Sequence, residues 1–399
     1  MSEEKKNPSN WSCDTIGDHI RFEGGTQPPR STFVFAEKPG YIRLVQTRDF
    51  KTDQFKTYIP ETERHKTFQE HDVMIGRYGP PVFQIYRGKS GAYNVALIKA
   101  SARNKKLDRD FMYYTLKQDR LFQLIDTLSR RSSGQTGVDM DALKGFPLPL
   151  PPLPEQRKIA EILRTWDEAL EKLTALRAAK KDWLTGITQK LTGRGGVFPN
   201  SWDLKPLSVI ATRVRRKNDG GDHPVMTISA KSGFLMQSDK FARDMAGSSV
   251  DNYTLLHEGE FAYNKGNSLA AKYGCIYQLD RPTAVVPFVY FCFALKSGLD
   301  ANFYSHLFAA GALNHQLSRL INSGVRNDGL LNLNVEDFFG CKVPVPPIED
   351  QRRIGEALTT AKHELSLLDE EIEALTQQKR GLMQKLLTGE WPVTLDEED

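Results

Sequence analysis

The sequence predicts a mixed α/β (α+β) fold: two globular domains joined by two long coiled-coil helices, in a pseudo-twofold internal repeat. Three observations predict it. A proline-rich run turns abruptly into charged, helical sequence twice, as PLPLPPLPEQRKIAEIL from Pro147 and as PVPPIEDQRRIGEAL from Pro344. One offset of 195 positions carries Gln156 onto Gln351, Arg157 onto Arg352, Ile159 onto Ile354, Glu161 onto Glu356 and Leu163 onto Leu358, and reaches from Gly145–Gly340 to Lys190–Lys385. A repeat that long is a structural unit written twice. After each junction the apolar residues recur at steps of four and three; before each junction they form short β-like runs.

The first globular segment, residues 1–154, holds the β-like runs YIRLVQTRDF and YNVALIKA, then a helix-like stretch, DFMYYTLKQDRLFQLIDTLS, and the polar loop RRSSGQTGVD. The first long helix covers 155–194, with the seam Ile159, Leu163, Trp166, Leu170, Leu173, Leu184, Ile187 and Leu191. The second globular segment, 195–348, repeats the plan with HPVMTISA and AVVPFVYFCFAL, then ANFYSHLFAAGALNHQLSRLI and the loop NSGVRNDGLLN. The second helix covers 349–390, with the seam Ile354, Leu358, Ala361, Leu365, Leu368, Ile372, Leu375, Leu382 and Leu386, and 391–399 is an acidic tail. Such narrow seams are what paired helices require. Arg177, Lys180 and Lys379 interrupt them.

Each helix start is marked. Proline can precede a helix but not continue through one, and Glu155 or Glu349–Asp350 places negative charge at the positive end of the dipole. Each closes in Leu-Thr-Gly, with Gly193 or Gly389 able to take a left-handed cap. A helix of about 39 residues is about 58 Å long. The proline runs read as stiff connectors between domain and helix; a polyproline ligand for an adaptor domain is the competing role.

Charge is uneven. The net charge is +4 overall. Residues 155–194 carry nine basic and six acidic side chains, whereas 349–390 carry six basic and nine acidic. An antiparallel pair would bring Lys172, Arg177 and Lys180 toward the run Asp369, Glu370, Glu371 and Glu373. The globular parts are net basic, which suggests a polyanionic partner. No stretch of about 18 apolar residues is present, and the polar start MSEEKKNPSNW has no signal-peptide core, so a cytoplasmic protein without a membrane partner is expected. Cys13, Cys275, Cys292 and Cys341 lack CxxC spacing and read as reduced thiols.

Motifs for catalysis are missing. There is no GxGxxG and no Asn-Pro-Pro-aromatic motif. Gly88-Lys89-Ser90 resembles the end of a phosphate loop, but Phe83 stands where the first glycine is needed. The eight histidines show no HExxH spacing, and no GxSxG occurs. The expectation is a non-catalytic chain with no cofactor or metal of its own.

With its two Pro-Pro-Leu/Ile-x-x-Gln-Arg-x-Ile junctions, ending at Ile159 and Ile354, and its helices closing in Leu-Thr-Gly, the chain resembles the specificity subunit of a type I restriction–modification system. The YIRLVQTRDF stretch resembles the strand near the start of that family's recognition domains. The resemblance covers nearly the whole chain. It implies two target-recognition domains, each reading one half of a bipartite sequence in double-stranded DNA. It also implies antiparallel helices that set the spacer and dock methyltransferase subunits, with restriction subunits in the full complex. The complex would use S-adenosylmethionine, and ATP with Mg2+ for restriction. A coiled-coil scaffold whose globular domains bind proteins is the alternative.

Loops that combine cationic, amide and aromatic groups are the DNA-binding candidates, because Arg and Lys neutralise phosphate while Arg, Asn and Gln pair with base edges. In the first domain these are Arg77, Tyr78, Arg87, Lys89, Arg130, Arg131, Ser133 and Gln135. In the second they are Arg213, Arg215, Arg216, Asn264, Lys265, Lys272, Tyr273, Arg326 and Asn327.

Overall fold

The computed structural model describes residues 11–79, 81–131, 137–192, 201–230, 232–240, 250–266, 271–321 and 331–395. The chain divides into two compact units: residues 1–173 with 372–399, and residues 174–371. Each unit therefore holds one globular domain and part of each long helix.

The first unit is built on a four-stranded antiparallel sheet. Its strands are β2 (Ile20–Gly24), β6 (Val73–Gly76), β7 (Ile85–Tyr86) and β9 (Leu97–Ala102), in the order β2-β9-β6-β7. A second sheet orders β3 (Tyr41–Val45), β4 (Tyr58–Pro60), β5 (Thr67–Phe68) and β8 (Gly91–Tyr93) as β4-β3-β8-β5. Helix α1 (Arg109–Leu116) is capped by Asp108, whose carboxylate accepts from Asp110 N and Phe111 N at 2.9 and 3.0 Å. Such a cap satisfies donors that the first helical turn leaves open. Helix α2 (Asp119–Arg131) follows, and Phe111, Tyr114, Leu121 and Ile125 join Val73, Ile75 and Ile98 in one core.

The second unit repeats the plan. Strands β12 (Ala211–Arg213), β16 (Phe261–Asn264), β17 (Cys275–Gln278) and β19 (Phe291–Leu295) form a four-stranded antiparallel sheet in the order β12-β19-β16-β17. Two further pairs join β13 (Met226–Ser229) to β14 (Gly233–Met236) and β15 (Thr254–His257) to β18 (Thr283–Val286). Helix α4 (Ala301–Ala309) is capped by Asp300, which accepts from Phe303 N at 2.7 Å, and α5 (Asn314–Leu320) follows. Phe261, Phe293, Phe303, Tyr304, Phe308 and Phe338 give this core its aromatic character.

The proline runs are not bare connectors. Pro147–Leu150 forms strand β10, paired antiparallel with β1 (Ser12–Thr15), and Lys342–Val345 forms β20, paired with β11 (Asp203–Pro206). Period-two alternation explains it: Leu148 and Leu150 are buried while Pro147 is exposed. Each strand belongs to a two-stranded sheet, where a missing N–H costs no second ladder.

Helix α3 spans Leu153–Thr192 and α6 spans Ile348–Leu387, 40 residues each, beginning slightly before the sequence-based boundaries. All described seam residues are buried or half-buried, including Arg177, Lys180 and Lys379. Leu191's side chain lies outside the description. In the first unit Ile159 and Leu163 share the core with Met383, Leu386 and Leu387. In the second, Leu184 shares it with Ile354 and Leu358. Arg177 pairs with Asp369 as the charge pattern predicts, while Lys180 pairs with Glu364, outside the expected acidic run, at 2.7 Å. These two contacts run in opposite chain directions, so the pairing is antiparallel there. Gly389 takes the expected left-handed conformation at φ +71, and Gly193 lies outside the described residues.

Candidate nucleic-acid interface

The same construction appears at one end of the central strand of each main sheet. Strand β6 runs out into Arg77, whose carbonyl accepts from Val138 N at 3.1 Å while Tyr78 bridges to Gly137. Strand β16 runs out into Lys265, whose carbonyl accepts from Leu331 N at 2.9 Å. In both units, then, the chain returning from the polar loop is fastened beside a basic residue at a strand end. Each is the first residue past its strand, after Gly76 and after Asn264.

In the first unit this brings Arg77 and Tyr78 beside Gly137 and Val138, near the end of the polar loop. The Arg77 guanidinium sits 5.2 Å from the centre of the Tyr78 ring, and Tyr78 is 40% exposed. Phe83 closes the β6–β7 connection from within, fully buried and at φ 60, a left-handed conformation costly for an aromatic residue. Arg87 is engaged elsewhere: it stacks 3.9 Å over Tyr113 and reaches Asp110 at 3.2 Å. Lys89, in the turn between β7 and β8, binds Asp53 at 2.8 Å. Lys89 and Arg43 together hold the Asp53 carboxyl well below the usual carboxylate range. Arg130 pairs with Asp126 one turn back at 2.8 Å. Arg131 ends α2 with its side chain undescribed, and Ser133 and Gln135 lie outside the described residues.

In the second unit Asn264–Lys265 and Lys272–Tyr273 flank the two ends of the β16–β17 connection. Tyr263 donates its hydroxyl to Tyr273 O at 2.8 Å, fastening that turn to the strand. Gly274 makes the approach possible: at φ +75, an added Cβ would stand 2.5 Å from Asn264 O. Asn264 donates to Ile228 O at 3.1 Å and accepts from Gly266 N at 2.9 Å, so part of its amide is committed to the fold. Lys272 lies 5.5 Å from the Tyr273 ring centre. Arg213, on β12, is half-buried, and burial first and Arg215 second lower its pKa. Arg215 is exposed, and Arg216 pairs with Glu260. Arg326 and Asn327 fall outside the described residues.

The arrangement supplies exposed cations, aromatic faces and amides at the rim of a firm sheet, the materials of phosphate contact and base-edge reading. Sequence reasoning missed a second cluster in the first unit, around Gln46, Arg48 and Asn94, because its residues come from separate segments.

Residues 8–180 match the family model described as the type I restriction modification DNA specificity domain. The chain is similar to the type I restriction enzyme MjaVIII specificity subunit of Methanocaldococcus jannaschii, 23% identical over 412 aligned positions that cover 96% of this chain and 93% of that one. Among solved structures it shares its fold with the type I restriction–modification S subunit from M. genitalium, at TM-score 0.57 and 16% identity, covering 99% of both chains. The HsdS subunit from Thermoanaerobacter tengcongensis gives TM-score 0.50 at 14% identity, covering 98% of this chain and 99% of that one.

Proposed function

We propose that the chain is a type I restriction–modification specificity subunit, as its match to that family's model over residues 8–180 and its similarity to the MjaVIII specificity subunit support, and that each globular domain reads one half of a bipartite DNA target. The two long helices would set the separation of the halves and dock methyltransferase subunits. The observation that carries this reading is the duplicated site: one sheet order and one loop attachment occur twice, with different side chains at matching positions, Arg77 against Lys265. Duplicated scaffolds with divergent rims suit two different base sequences better than one.

The chain would act without catalysis of its own. Methyl transfer would belong to partner subunits using S-adenosylmethionine, on an adenine taken out of the duplex. Restriction subunits would add ATP- and Mg2+-dependent cleavage. No helix of the described residues is long and apolar enough to cross a membrane. The four free cysteines fit work in the reducing cytoplasm.

The test is a gel-shift titration of duplex DNA with the full chain and methyltransferase subunits. A shift that depends on sequence and weakens steeply with salt supports the reading. Equal binding to all duplexes, or none, would leave a protein-binding scaffold as the better reading.

A further inference from the structure

The first domain carries a groove of about 470 Å³ beside the turns Arg30–Thr32 and Thr47–Phe50. Two guanidiniums, Arg30 and Arg48, and three amides, Gln27, Gln46 and Asn94, line it, with no carboxylate among the described lining residues. The groove at the start of α3 is different: Asp108, Asp110 and Glu161 there face Arg157, Lys158 and Arg164, so its charges answer one another.

The groove's walls are held in place. Gly25 N donates to Leu97 O and Thr26 N to Tyr93 O, both at 3.2 Å, which sets Gln27 close to Asn94. Only glycine fits at 25, since an added Cβ would stand 2.2 Å from Asn94 O. Opposite, the buried Asp49 carboxylate accepts from Gln46 N at 2.7 Å and fixes the turn that presents Arg48. Reciprocal backbone bonds between Val34 and Tyr58, at 3.0 and 2.8 Å, position the neighbouring Phe35.

The groove's cations are available. Arg43 and Lys89 are paired with Asp53, and Arg87 with Asp110. Among the described residues neither Arg30 nor Arg48 has a salt bridge; the Arg48 guanidinium makes a long 3.5 Å contact to Thr57 Oγ1, and its charge acts on the buried Asp49 carboxylate. Phe35 is 76% exposed and Phe55 59% exposed, the latter under the Arg48 guanidinium at 5.9 Å. Two exposed phenylalanines beside two exposed arginines fit a surface that is covered in use.

We propose that this groove is a base-reading surface of the first domain, additional to the Arg77–Tyr78 rim, taking base edges of duplex DNA in the major groove. The proposal rests on the reading that this domain recognises one half of a DNA target. Arginine forks match guanine O6 and N7, and Asn or Gln amides match adenine N6 and N7. A groove serving phosphate alone would need the cations but not three amides. Phe35 and Phe55 supply apolar contact for thymine methyls or sugars.

The experiment selects bound sequences from a randomised duplex library, using the full chain with methyltransferase subunits. Unaltered protein is compared with Arg48→Lys, Arg30→Ala and the double variant Gln46→Ala with Asn94→Ala. The proposal expects the altered proteins to lose about tenfold of their base preference at positions of one half-site. The other half-site stays unchanged, which also shows that the chain is folded and assembled. Arg48→Lys keeps the charge and loses the fork, so it should relax a guanine preference rather than weaken binding to all sequences. An unchanged motif in all three variants, or a uniform loss of affinity with the motif intact, would overturn the groove assignment and leave the two-domain reading standing. No selected motif with the unaltered chain would overturn both.

Discussion

Gln156 and Gln351 make the same two hydrogen bonds in their separate units. Each donates its amide to a proline carbonyl five residues back, Pro151 at 2.8 Å and Pro346 at 2.7 Å. Each accepts from the backbone N–H of the residue that caps the next-door helix, Asp108 at 2.7 Å and Asp300 at 3.0 Å. Both side chains are all but fully buried, at 0% and 1% exposure. The glutamine of each repeated junction is therefore the clamp that ties proline strand, long helix and domain helix together.

Replacing Gln156 by Ala should strand the carbonyls of Pro151 and Lys106 and the N–H of Asp108. The expected loss is about 2 kcal/mol or more, as unsatisfied buried groups each cost roughly 1–3 kcal/mol. Hydrogen exchange should quicken in Arg109–Leu116 and stay unchanged in Ala301–Ala309. Gln351→Ala should show the reverse. Equal effects on both helices from either variant would contradict separate clamps.

Asp167 is shared by the two long helices and the domain. It accepts from Tyr114 Oη at 2.8 Å and pairs with Lys379 of α6. Burial alone would raise its pKa, but the bonds from Lys379 and Tyr114 outweigh that and leave it lowered. A carboxylate depressed in the fold contributes stability that is present above its unfolded pKa and lost as pH falls through the folded one. Asp167→Asn should therefore destabilise at pH 7 by about 1–3 kcal/mol, below the full figure for a completely buried pair. The gap to the unaltered protein should shrink below about pH 4. Asp167→Leu with Lys379→Met should cost less than Asp167→Leu alone, because no buried cation is left without a partner. Denaturant unfolding across pH checks both.

His306 packs between α4 and α6, with Nε2 at 2.9 Å from Thr359 Oγ1. Burial first, and Lys362 second, lower its pKa to about 4, against opposing contributions from Asp300 and the Gly355 backbone. The unfolded chain takes up a proton below the ordinary histidine value while the folded one resists it. Stability of the second unit should thus fall as pH drops from about 6.5 toward 4, by up to about 3 kcal/mol. His306→Gln should flatten that slope, read by melting curves at fixed ionic strength. An unchanged slope would show that other groups set it.

The long helices should behave as a spacer. Inserting four residues into each near the middle adds about 6 Å, close to two base-pair steps of about 3.4 Å. A folded insertion variant should prefer a longer gap between half-sites, measured by selection from duplexes of graded spacer length. Preference for the original gap would contradict a fixed spacer.

Much of this was legible in the sequence. The seam was readable because a step of three and four suits paired helices, and Arg177, Lys180 and Lys379, which interrupt it, are half-buried. The duplication was readable because the clamp glutamines and several residues after them at the helix starts are the same in both copies. The strand character of the proline runs was hidden: proline suppresses a strand reading, and only the partners Ser12–Thr15 and Asp203–Pro206 reveal it. The engagement of Arg87 by Tyr113 and of Lys89 by Asp53 was equally hidden, since such partners lie up to 36 positions away. The groove of Gln27, Gln46 and Asn94 has no local pattern at all.

The most direct measurement is a genome-wide map of methylated adenines in cells with and without this chain, alongside the methyltransferase subunits proposed as its partners. Two dissimilar half-sites separated by a constant run of unspecified bases, appearing only when the chain is present, are the predicted result. Methylation that persists unchanged without the chain, or that falls at one uninterrupted short motif, would contradict two readers held at a fixed distance.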